Sequence, residues 1–141
     1  MNNNNSQVAV QQKSVSDIMA MPAMVNKLNS VWGDPAIAAS FSSSLISLVN
    51  GNPNLRKCDA MSVVGGAMVA ATLQLSVVPT LGQCYLIPYG KQAQVQVGYL
   101  GILQLCQRSG QFAKIIAVPV HKGELVSGDE FNEDWVFDKS K

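Results

Sequence analysis

The sequence predicts an α+β fold: helices first, then an antiparallel β-hairpin and a small sheet with a short crossing helix. Three observations carry this reading. Residues 14–75 repeat apolar side chains at three- and four-residue steps between recognisable caps. Residues 83–97 switch to strict alternation across a Gly-Lys turn. Residues 112–121 then form an apolar, β-branched run of the kind found in strands.

The elements follow in order. Residues 1–13 (MNNNNSQVAVQQK) are polar and of low complexity, the composition of a disordered arm. Ser14 or Ser16 can cap a helix with Asp17 in its first turn. Ile18, Met21, Val25, Leu28 and Trp32 would form its apolar face, and Pro22 marks either a kink or a second start. Gly33 ends the element. Asp34-Pro35 opens the next helix as N-cap and first helical residue, with Ile37, Phe41, Leu45, Leu48 and Val49 at helical spacing and serines opposite. The segment NPNLRKCD reads as a loop carrying Arg56 and Lys57. Asp59 caps a third helix running from Ala60 to about Leu75, apolar nearly all round and expected to be the buried spine. Within it, Gly65 and Gly66 each cost about 1 kcal/mol against Ala. Close backbone approach to a sheet or helix is the expected compensation. The other reading, a phosphate-binding loop, lacks a preceding strand and a following Gly-Lys-Ser/Thr.

In the hairpin, Gln83, Tyr85, Ile87 and Tyr89 share one side of the first strand, and Cys84, Leu86 and Pro88 the other. After Gly90-Lys91, Gln92, Gln94 and Gln96 alternate with Ala93, Val95 and Val97. Valines inward and amides outward is the expected arrangement, with Pro88 on an edge. Gly98 allows a sharp exit into a helix from Tyr99 to Arg108, with Leu100, Leu103 and Cys106 on one face. Phe112 to His121 reads as a strand turned by Lys122-Gly123. Asp129 to Asp134 reads as an acidic loop, and Trp135-Val136-Phe137 as another strand. The sheet reads as unfinished at Lys141, so residues 14–141 are expected to be a single, truncated domain.

Composition narrows the function. Apolar residues make up 48% of 141 residues and charged ones 13%, about half the usual share. Such a chain has little charge to cover its outside, which favours self-association. The net charge of +1 conceals a split: eight Lys/Arg against three acids over residues 1–123, and six acids against two lysines over 124–141. No Asp or Glu lies between Asp59 and Glu124. A mildly basic body suits a polyanion. Cys58, Cys84 and Cys106 lack metal-ligand spacing and read as reduced thiols of a cytoplasmic protein. No apolar run reaches the length of a membrane span, and the Asn-rich N-terminus lacks the basic-then-apolar order of a signal peptide. The residues give no reason to expect a cofactor or metal, and no catalytic constellation is evident. His121 is the sole histidine, and with the acids that follow it forms the weaker, enzymatic reading.

Binding chemistry is better supplied. Lys91, Arg108 and Lys114 are placed to neutralise successive phosphates, and Arg56 with Lys57 to do so from their segment. Tyr85, Tyr89 and Tyr99 offer faces for stacking unpaired bases. Gln94 and Gln96 can hydrogen-bond backbone or base edges with little sequence preference. Packing of the tyrosines and simple solvation of the lysines are the plain alternatives.

The ordered motifs carry more. Gly82 to Gly90 (GQCYLIPYG), Ala93 to Tyr99 (AQVQVGY), Arg108 to Gly110 and Val120 to Glu124 closely resemble the RecT family of phage and prophage recombinases. The stretch LVNGNPNLRKCDAMSVVGGAMVAATLQL is similar to that family's helical lead-in. The resemblance runs from about Ile18 to Lys141 and covers the N-terminal half of a family chain. It implies single-stranded DNA binding, ATP-independent annealing of complementary strands, assembly into rings or filaments, and work beside a partner exonuclease. Phosphates would fall to Lys91, Arg108 and Lys114. Leu100 stands where family members commonly carry lysine, so one cationic contact is missing. An assembly piece without DNA binding of its own is the alternative.

Overall fold

A computed structural model describes residues 13–115, 119–129 and 134–138. The protein is mixed α+β, as expected, in two compact units, 1–111 and 112–141. The expected arm lies, apart from Lys13, outside the described residues.

The first unit begins with α1 (Val15–Met19). Ser14 accepts the Asp17 N–H, while the Asp17 carboxylate accepts from the Ser14 N–H and hydroxyl, closing a capping box. Those bonds hold the Asp17 carboxyl below the usual carboxylate range. Pro22 is a second start, not a kink: α2 runs Pro22–Trp32 and stops at left-handed Gly33. The break at Ala20–Met21 resets the helical phase. Leu28 is buried, Met24 and Val31 pack against the core, and Val25, expected inside, is exposed. Next, α3 (Pro35–Gly51) buries Ala38, Phe41, Leu45 and Val49 but leaves Ile37 exposed. The expected loop at NPNLRKCD contains a single helical turn, α4 (Pro53–Arg56). Asn52-Pro53 repeats the Asp34-Pro35 device: the Asn52 side chain accepts from Asn54 and Leu55 N–H, and Leu55 is buried.

The spine is α5 (Ala60–Thr72), capped by Asp59 on the Ser62 N–H. It packs on α1, α2 and both hairpin strands. Instead of reaching Leu75 it stops early, because Gln74 turns left-handed at φ 51°. The glycine pair divides its roles. A Cβ on Gly66 would lie 2.8 Å from Leu86 Cδ2 and 3.6 Å from Val95 Cβ, so here the helix does approach the sheet closely. Gly65 is exposed with nothing within 4 Å. Gly65→Ala is therefore expected to stabilise the protein by roughly 0.5–1 kcal/mol, read as a raised midpoint in urea unfolding with an unchanged slope.

A short 3₁₀ turn at Pro79–Leu81 leads into β1 (Cys84–Tyr89), which pairs antiparallel with β2 (Gln92–Val97). Cys84, Leu86 and Ala93 are buried on the α5 side, while Tyr85, Tyr89, Gln92, Gln94 and Gln96 are exposed on the other. Burial raises the Cys84 thiol pKa, which keeps it protonated. Pro88 faces Ala93, a pair that exchanges no ladder bonds, because the Ala93 N–H goes instead to Ser62 Oγ at 2.9 Å. Its missing donor is thus not needed. Last in this unit, α6 (Tyr99–Ser109) ends at left-handed Gly110. Of Leu100, Leu103 and Cys106, set at helical spacing, Leu103 and Cys106 are half-buried. Gly101 is buried and Leu105 packs on the core, while Leu100 and Ile102 are exposed.

In the second unit, β3 (Leu125–Asp129) pairs antiparallel with β4 (Asp134–Phe137), forming a sheet of its own and not an extension of the hairpin. The Trp135 ring lies against Gly128, where a Cβ would collide with it. The expected strand over 112–121 is not present in its described residues, 112–115 and 119–121; residues 116–118 lie outside them. β-branched composition supplies propensity, but a strand exists only by pairing. No described strand pairs with this run. The turn at Lys122-Gly123 is as expected, with Gly123 at φ 99°. Of the acidic loop, Asp129 and Asp134 are strand ends, and residues 130–133 lie outside the described set.

Candidate nucleic-acid interface

The hairpin's outer face is ordered by its register. Tyr85 faces Gln96, Ile87 faces Gln94 and Tyr89 faces Gln92. Each pair shares one face because successive side chains alternate across a strand. Burying Leu86, Ala93 and Cys84 against α5 therefore forces three amides and two phenols into solvent. The tyrosines differ: Tyr89 is 59% and Tyr99 67% exposed, but Tyr85 is 37% exposed. Its ring rests on Gly98, where a Cβ would be 2.8 Å from Tyr85 Cε2. Tyr85 is thus partly committed to packing, and Tyr89 and Tyr99 are the open rings.

Three of the expected cations gather at the turn end. The Asp59 N–H donates to the Lys91 carbonyl at 2.7 Å, joining the Gly90-Lys91 turn to the start of α5. Arg56 and Lys57, in and just after α4, precede that junction directly, and all three side chains are exposed. Arg108 is not among them. Its guanidinium donates to the Leu73 carbonyl and to the Gln74 carbonyl and Oε1, at the opposite end of α5. A helix of 13 residues separates the two ends by about 20 Å. Arg108 therefore serves first as a clamp on the last carbonyls of α5. Lys114 is exposed and belongs to the second unit.

Sequence reasoning passed over two residues that organise this region. Ser62 accepts from the Ala93 N–H and donates to the Asp59 carbonyl at 2.7 Å, fixing the hairpin on α5. Gln74 donates to the Val31 carbonyl at 3.4 Å while accepting from Arg108, so α2, α5 and α6 meet there. A serine three residues after a capping Asp carries no signal of a distant partner. Gln74 is also silent in sequence, since a left-handed position usually announces itself by Gly or Asn.

The features of the enzymatic reading are placed as follows. His121 is exposed; its backbone N–H donates to Glu124 Oε2 at 2.8 Å, and its carbonyl accepts from the Glu124 N–H. Among the described residues no group of three or more His, Cys, Asp or Glu is placed to hold a metal ion. The three cysteines are free. No described helix is long and apolar enough to cross a membrane.

Residues 39–140 match the model of the RecT family. An uncharacterized protein, YqaK, from Bacillus subtilis (strain 168) is 38% identical over 136 residues, covering 95% of this chain and 47% of its own. Protein RecT of Escherichia coli (strain K12) is 28% identical over 144 residues, covering 96% of this chain and 52% of its own. The chain thus spans about half the length of these curated relatives.

Proposed function

The chain belongs to the RecT family, and from that premise we propose that it binds single-stranded DNA and promotes ATP-independent annealing of complementary strands in phage-type homologous recombination. The observation that carries this reading is the exposed Tyr–Gln face of the hairpin, bordered at its turn by Lys91, Arg56 and Lys57. Tyr89 and Tyr99 offer stacking faces indifferent to sequence. Gln92, Gln94 and Gln96 both donate and accept, so they suit any base or the sugar–phosphate backbone. Cations that hold phosphates leave Watson–Crick edges free for a second strand. Specificity then comes from the complementary strand and not from the protein. Such chemistry needs single strands as input, which is the place of a strand-degrading exonuclease partner.

Exposed Leu100 and Ile102 on α6 support assembly into a homo-oligomer, a ring or filament. They also favour the second reading, an assembly piece with no hold on DNA. The two part in one titration. Binding to oligothymidylate should weaken with salt, and Lys91→Ala should weaken it by roughly fivefold at about 0.1 M salt and lower the log–log slope by about 0.7. A chain that assembles yet shows no affinity at low salt leaves only the assembly reading standing.

A further inference from the structure

Between the start of α1, the end of α3 and α4 lies a cavity of about 310 Å³. Lys13 and Arg56 both line it, brought together from 43 positions apart in sequence, with Ser16 and Asn50 as neutral polar neighbours. Leu55 and Cys58, both buried, form part of its wall. Among the described residues no carboxylate lines it. The nearest acid along α1, Asp17, accepts two hydrogen bonds from Ser14 and interacts with Lys13 only as a charge. The Arg56 side chain takes part in no hydrogen bond or ion pair among the described residues. Two cations thus border one hollow that no described carboxylate lines, a setting that favours entry of an anion. The hollow has ample room, since a water takes up about 30 Å³.

We propose that this cavity holds one internal phosphodiester of the bound single strand, with Lys13 and Arg56 sharing that phosphate. The assignment rests on the single-strand reading above and extends it: Lys57 and Lys91 continue the cationic track from the cavity to the hairpin turn. Arg56 supplies a planar fork for two phosphate oxygens and Lys13 a movable point charge. Ser16 and Asn50 can donate to the remaining oxygens. Lys13 thereby joins the interface, although the polar run before it reads as an arm.

Sharing makes the test specific. Full-length protein is titrated with a 3′-labelled oligothymidylate of about 30 nucleotides, with and without a 5′-phosphate, between about 50 and 200 mM salt. The variants are Lys13→Ala, Arg56→Ala, the double variant, and Lys27→Ala as an exposed control on α2. The double variant should lower the log–log slope by about 0.7, one phosphate, and weaken binding roughly fivefold at about 0.1 M salt for both oligonucleotides. Far-ultraviolet circular dichroism should be unchanged. A slope loss near 1.4 would mean two separate phosphates and would overturn the shared site. An effect confined to the 5′-phosphorylated strand would reassign the cavity to a strand end. Unchanged binding by the double variant, or an equal loss in Lys27→Ala, overturns the cavity while leaving the hairpin reading intact. Absence of binding by the unaltered chain overturns both.

Discussion

Gly101→Ala is expected to destabilise the first unit by about 2–3 kcal/mol or more. The added Cβ would overlap the Gln83 carbonyl oxygen and would sit 3.1 Å from Val97 Cγ1. A side-chain clash can be relieved by a rotamer change, but a backbone carbonyl moves only with its strand. Gly98→Ala should behave similarly, since its Cβ would overlap the Gly82 carbonyl oxygen and lie 2.8 Å from Tyr85 Cε2. Neither glycine is needed for its backbone angles: Gly98 has φ −81° and Gly101 lies in the first turn of α6. Space alone selects them. Thermal unfolding followed by circular dichroism should show a drop of at least about 8 °C for a unit of this size. Gly65→Ala in the same protein should move the midpoint upwards. A Gly101→Ala variant as stable as the parent would mean that α6 does not pack on the Gln83 backbone in solution.

Arg108→Ala should lower stability by about 1–2 kcal/mol while changing the salt dependence of single-strand binding less than Lys91→Ala does. The loss removes a charged donor from three acceptors at the end of α5. Lysine should recover little, because one ammonium cannot span carbonyls that a guanidinium fork bridges. Paired urea unfolding and oligothymidylate titrations separate the roles. A full phosphate's loss of slope with unchanged stability would return Arg108 to the DNA contacts.

What could be read from sequence follows the range of the forces involved. Caps and turns are local, so Asp34-Pro35, Asp59 and Gly33 marked element boundaries that the structure repeats. Alternation is also local and gave the hairpin with its inward and outward sets. Val25 falls outside the α2 core face because Pro22 shifts the helical phase, and phase depends on where the first turn begins. The α6 contact with the hairpin could not be read from Leu100, Leu103 and Cys106, because it is made through the absence of a side chain at Gly101. Phosphate candidates were recognisable as cations, but their grouping was not. That Arg56, Lys57 and Lys91 gather while Arg108 lies a helix length away depends on the Asp59–Lys91 bond, which joins residues 32 apart. Lys13 entered the folded unit only with the Ser14 capping box.

The Ser62 hydroxyl gives the hairpin an absolute origin of count. A strand's two faces differ only by parity, odd or even, so a slip of one residue exchanges every outward side chain for an inward one. By accepting from Ala93, Ser62 declares which residues are odd, while Asp59, bonded to Lys91, fixes where counting starts. Adding one residue to β2 beyond Ala93 would leave that origin in place and invert everything after it. Gln94 and Gln96 would turn against α5, and Val95 and Val97 would face the solvent. Chain length in this strand is therefore as decisive as chain composition: the face offered to a ligand is set by arithmetic from one hydroxyl group.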